Sequence, residues 1–142
     1  MTGSDPQAPA SGTAVSVEPL LDIQLQLLIR LLEAEPQSSL PITLHVPGGL
    51  VHGDLITQQA WKADWAQSVR RLGGKGAQLL AEFPETVDRS LDEVIGEQAP
   101  EHLPRWIHLR DATLAGAEGP FTVPAWRGRL ADVSGWSLTR PE

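Results

Sequence analysis

The sequence predicts an α+β domain in which a helix precedes a β-hairpin, one or two helices are inserted, and three strand segments complete the chain. Three observations carry this. Leu21, Leu25, Leu28 and Leu32 recur at helical spacing. Ile42, Leu44 and Val46 alternate with polar residues up to Gly48-Gly49, and Val51 and Leu55 resume the alternation. Beyond Trp106, Ile107 and Leu109 alternate with Trp106, His108 and Arg110, and later Trp126, Gly128 and Leu130 alternate with Arg127 and Arg129. Bent antiparallel strands of this length curl to protect their edges. The expectation is a strongly bent antiparallel sheet or a small, partly open barrel of SH3-like or Sm-like type, with an open four- or five-stranded sheet packed on the first helix as the alternative.

Each element has its own signals. Residues 1–17 are rich in Ser, Pro, Ala, Gly and Thr and are expected to form a disordered leader. The single domain is expected to span 18–142, with 73–104 as a helical or linker insertion. Pro19–Glu33 reads as the first helix, with Pro19 in its first turn and Pro36 beyond its end. In the hairpin, a turn centred on Gly48-Gly49 pairs Val46 with Val51 and Ile42 with Leu55. It sets Gly53 opposite Leu44, where a side chain's absence permits a bend or a close neighbour. Thr57 is placed to cap a second helix carrying Trp61, Trp65, Val69 and Leu72 as far as Gly73-Gly74. Pro84 begins a third, with Val87, Leu91, Val94 and Ile95 on one side and Glu85, Asp88, Asp92 and Glu93 on the other. The final strands run over Trp106–Leu114 and Val123–Val133, separated by a turn at Ala115–Pro120. Ser134-Gly135 then breaks the chain before Trp136 and Leu138.

Composition excludes several classes. The chain has no cysteine, so disulfides, thiolate metal sites and cysteine nucleophiles are absent. The beginning lacks a basic segment followed by an apolar run, and Leu27-Leu28-Ile29 is the most apolar stretch, which favours a cytoplasmic location without a membrane span. The net charge of −7 is uneven: 14 acids face 6 bases through Leu103, whereas 4 acids face 5 bases from Pro104 onward. That balance argues against nucleic-acid binding by the whole domain and leaves room for a basic face near the C-terminus. Gly73-Gly74-Lys75-Gly76 is too short for a phosphate loop and follows a helix rather than a strand. No serine lies in a nucleophile-elbow context, so no catalytic residue, cofactor or small-molecule substrate is assigned.

Three residue sets remain as candidates. His45 and His52 stand opposite each other in the inferred register. They read either as the start of a metal site with Asp54 as third ligand, as a pH-sensitive pair, or as an ordinary polar pair on a wet face. Arg110, Arg127 and Arg129 share a sheet face with His108 and could meet an acidic protein surface or RNA, or could simply be solvated. Trp61 and Trp65, one helical turn apart, could dock a partner, whereas Trp126 and Trp136 read as core.

The stretches Trp106-Ile107-His108-Leu109-Arg110-Asp111-Ala112 and Ala125-Trp126-Arg127-Gly128-Arg129-Leu130-Ala131-Asp132-Val133-Ser134-Gly135-Trp136-Ser137-Leu138 resemble the C-terminal signature of the gas vesicle accessory protein U family. The hairpin with Gly53 is similar to that family's N-terminal half, while Gly73–Pro104 shows no resemblance. The resemblance implies a non-enzymatic role accessory to gas vesicles, with gas vesicle proteins or the chain itself as partners. It implies no shell-forming role, because the shell protein is short and very apolar. The residues alone imply only a binding module. An Sm-like RNA-binding module and, behind it, a metal-dependent enzyme centred on the histidines are the alternatives from other classes.

Overall fold

A computed structural model describes residues 21–95 and 103–139. The expected leader at 1–17, the Pro19 helix start and residues 96–102 of the expected 73–104 insertion lie outside these residues. The elements are α1 (Ile23–Leu32), β1 (Leu40–Val46), β2 (Gly49–Ile56), α2 (Gln58–Leu72), α3 (Ala77–Ala81), α4 (Phe83–Ile95), β3 (Trp106–Gly116), β4 (Gly119–Arg129), a 3-10 turn (Leu130–Asp132) and β5 (Gly135–Ser137). The α+β class is as expected. The sheet is antiparallel with order β4-β3-β2-β1-β5.

It is an open sheet, which corrects the barrel. Closure would require β4 to pair with β5, and these are the two edges. Pro120 and Pro124 remove backbone donors from β4, which suits an edge, and β5 pairs only with β1, at Thr43, Leu44 and His45. The space a barrel would enclose is filled instead by α1 and by Leu130. Leu25, Ile29 and Leu32 pack there on Ile42, Leu44, Val51, Leu55, Ile107, Leu109 and Ala112. Asp22 caps α1. It accepts from the Leu25 backbone amide at 3.1 Å and from Trp136 Nε1 at 2.8 Å, so one carboxylate caps the helix and ties it to β5. The Trp136 indole, followed by the Leu25 amide, holds that carboxyl below the ordinary carboxylate range.

The hairpin turn lies one residue earlier than Gly48-Gly49. Val46 pairs with Gly49 around Pro47-Gly48, and Gly48 takes the positive φ of +93°. Partners therefore move by two: Leu44 faces Val51, Ile42 faces Gly53, and Leu40 faces Leu55. A shift of two leaves every side chain on its expected face. It does separate the histidines, since His52 faces Thr43 and His45 faces Leu50.

Gly53 solves a parity problem in β3. Strict alternation from Ile107 and Leu109 would send Asp111 into the core. The backbone instead irregularly steps at Asp111, whose φ is +53°, and brings Ala112 inward to full burial. β4 keeps its register beside it: Arg110 stands opposite Ala125 and Ala112 opposite Val123, with Pro124 at the step. A Cβ on Gly53 would lie 2.9 Å from the Arg110 carbonyl oxygen and 3.0 Å from Ala112 Cα. Trp126 and Trp136, read as core, pack against its margin and are only partly buried.

Gly53→Ala is expected to lower stability by about 1–3 kcal/mol, because the added methyl meets backbone rather than a yielding side chain. Gly135→Ala is the control, since its Cβ meets nothing nearer than His45 at 3.8 Å. Urea midpoints compare the two; an equal loss in both would discard the bulge explanation.

Candidate functional site

The second sheet face carries Ile56, Trp106, His108, Arg110, Arg127 and Arg129. The expectation that these groups share a face holds, because His108 pairs with Arg127 and Trp106 with Arg129. The reading of this face as solvated holds for Trp106, Arg127 and Arg129, which are exposed, and fails at its centre. His108 is 4% exposed and Ile56 is 1% exposed. What covers them is α2, which Thr57 starts by accepting from the Ala60 amide at 3.1 Å.

The cover is built from residues i, i+3 and i+4 of one helix face. Trp61 lies against His108, with ring centroids 5.2 Å apart, and against Trp65 at 5.7 Å. Asp64 reaches Arg110, accepting from its Nε at 2.6 Å. Arg127 Nε donates to His108 Nε2 at 3.2 Å, and its guanidinium carbon stands 3.8 Å above the Trp106 ring. Trp65, Trp61, His108, Arg127 and Trp106 thus form one continuous ladder from the helix to the edge strand. Arg129 is outside it, paired with Asp132 at 3.2 Å. All three arginines have intramolecular acceptors, and of the two that form ion pairs Arg129 keeps the more exposed side chain. Trp61 and His108 are the buried members, at 9% and 4% exposure.

Electrostatics follow from burial. His108 falls from its ordinary 6.5 to about 3, first because burial disfavours the imidazolium, then because Arg127 and Lys62 are nearby cations. Burial also lowers Arg127, against the opposing pull of Asp88. The Asp64 hydrogen bond raises Arg110.

Sequence reasoning missed Lys62. Burial works to lower its pKa, but hydrogen bonds to Asp88 and Glu85 dominate and raise it. Its Nζ donates to Glu85 Oε1 and Asp88 Oδ2, both at 2.8 Å, and Gln58 also donates to Asp88 at 2.8 Å. Trp65 Nε1 donates to the Leu80 carbonyl at 2.7 Å. Lys62 therefore fastens α4, and Trp65 fastens α3. Trp61, Trp65, Phe83, Val87 and Arg127 border a cleft of about 140 Å³ between α2, α4 and β4. The signal lay in the sequence as a lone lysine beside Trp61, with carboxylates one turn apart on the third helix.

The structure does not bring His45 and His52 opposite each other, since His45 faces Leu50 and His52 faces Thr43. Among the described residues no group of three or more His, Cys, Asp or Glu side chains could hold a metal ion. No helix among them is long and apolar enough to cross a membrane.

A model of the gas vesicle protein GvpU-like family matches residues 22–141. The chain belongs to the GvpU-like gas vesicle protein family. The match includes α1 and the 73–104 segment, where no resemblance was read from the residues, so these helices belong to the family's domain. No curated protein and no solved structure matches the chain. In this GvpU-like chain the Trp-Arg-Gly block divides its work. Trp126 borders the core, Arg127 closes the ladder, and Gly128 leaves room for the Trp126 ring, which a Cβ there would strike.

The depressed His108 predicts a specific acid sensitivity. The unfolded chain protonates this imidazole near 6.5, whereas the folded chain resists until about 3. The stabilisation is full above 6.5 and is lost as pH falls towards 3, at no more than about 1.4 kcal/mol per unit. Between pH 6.5 and 4.5 the melting temperature should fall, and His108→Gln, neutral and still able to accept from Arg127, should flatten that fall. Parallel curves for the two proteins would refute it.

Proposed function

We propose that this gas vesicle-associated chain acts by protein–protein docking or self-association in vesicle formation, organisation or regulation, without a chemical step of its own. One observation carries the reading: among the described residues, apolar stripes lie exposed on both outer layers of the domain. On α1, Ile23, Leu27 and Leu31 recur every fourth residue and point away from the core that Leu25, Ile29 and Leu32 fill. A helix apolar on two sides suits burial on two sides. On the opposite layer Leu79, Leu80, Phe83 and Leu91 are likewise exposed. Contiguous patches of this kind mark partner sites.

The ladder gives the second layer its polar margin. Arg127, Arg129 and Trp65 stand at its rim as candidate contacts, Arg110 is held back by Asp64, and Trp61 and His108 position the others from behind. Two outer stripes on opposite layers allow the domain to hold two partners at once, or to join copies of itself and a vesicle.

Flotation tests this. Purified gas vesicles mixed with the chain should carry it to the surface on low-speed centrifugation, and Leu27→Asp or Phe83→Asp should leave a greater share behind. Wild-type chain remaining entirely in the subnatant, together with unaltered vesicles when the gene is deleted, would remove the docking role.

A further inference from the structure

α4 is attached to the domain by the side that usually faces water. Its acidic residues Glu85 and Asp88 turn towards Lys62 on α2. Its apolar stripe turns outward. Glu82 links α3 to α4 without interrupting the hydrogen bonding, since its amide donates to the Gln78 carbonyl and its carbonyl accepts from the Thr86 amide. Leu79, Phe83, Val87 and Leu91 therefore recur every fourth residue along one row, each between 37% and 76% exposed. By helical spacing, Glu82 borders this row beside Leu79 and Asp88 borders it beside Leu91. Residues 77–95 hold five acids and one base, Arg89.

We infer that this row is the seat of an amphipathic helix from a partner protein, one that carries lysine or arginine beside its own apolar stripe. The inference rests on the docking reading and names its partner class. Charge decides among the occupants. A second copy of the same row would set like charges against each other, which costs stability. An anionic lipid surface meets the same repulsion. A basic helix gains on both counts, burying the leucines in the row while its cations meet Glu82. The cleft beside Phe83 and Val87 can receive one of its anchor side chains, with Trp65 as a wall.

The full chain is titrated calorimetrically with three probes: a Leu/Lys model helix of about 18 residues, long enough to span the row, a Leu/Glu helix of the same length, and phosphatidylglycerol vesicles. The Leu/Lys helix should bind at least about tenfold more tightly than the Leu/Glu helix, and the vesicles should not bind. Phe83→Ser with Leu91→Ser keeps every charge and should weaken the Leu/Lys helix by at least about tenfold. Leu79→Ser, on α3, should weaken it without touching α4, which covers the case in which the double variant loses helicity by circular dichroism. Equal affinity for the two peptides, unchanged binding in both variants, or binding of vesicles in place of the peptide would overturn the inference. If any of these occurs while the chain still floats with gas vesicles, the partner class falls and the docking reading stands.

Discussion

The burial of His108 between Trp61 and Arg127 is the contact on which the arrangement of the second layer depends. It turns a sheet with one dry face into a sheet covered on both sides. Without it, β3 would show a polar face and α2 would have nothing to lie on. With it, an imidazole is held neutral, Arg127 is fixed by a hydrogen bond and by the Trp106 ring, and α2 crosses the sheet at a defined position. The Asp64–Arg110 pair secures the same helix one turn further on. The partly exposed pair contributes modestly on its own; its importance is that it fixes the angle at which the tryptophans meet the sheet.

What sits above α2 is held differently. α1 joins the domain through side chains that are almost wholly removed from water, whereas α4 joins through Lys62 and two carboxylates at its edge. The first attachment uses the hydrophobic effect and leaves a surplus apolar stripe on the far side. The second uses ion pairs, which leaves Phe83, Val87 and Leu91 of α4 exposed. Attachment by charge and exposure of leucines are two consequences of one rotation of α4 about its axis. This is why the insertion reads as a contact surface and not as part of the core.

Much of this was legible in the sequence and some was not. Every inward residue of the hairpin lay on the expected face, because a misplaced turn shifts partners by two and preserves parity. The same error was fatal for the His45–His52 pairing, since opposition, unlike facing, depends on absolute register. Ile107 and Leu109 were legible as core by alternation, but the step at Asp111 was not, because it appears only when the chain is seen to avoid burying an aspartate opposite Gly53. The wet-face reading of His108 failed because alternation shows which residues share a side and is silent about what a helix from elsewhere will cover. The barrel failed for a related reason: edge protection was expected from closure, and the chain achieves it with prolines in β4, a three-residue β5 and a helix over the core. The apolar stripe of the third helix was plain in the sequence, yet its orientation rests on Lys62, a residue whose partners are far away in the chain.

The most direct measurement of the central contact is the protonation state of His108, read from long-range nitrogen–proton NMR spectra with His108→Gln as the assignment control. Because Arg127 donates to Nε2, the ring should carry its proton on Nδ1 alone and remain so at about pH 5.5, a unit below the ordinary imidazole value. A ring protonated on both nitrogens at that pH, or a neutral ring with its proton on Nε2, would contradict the ladder and with it the placement of α2 on the sheet.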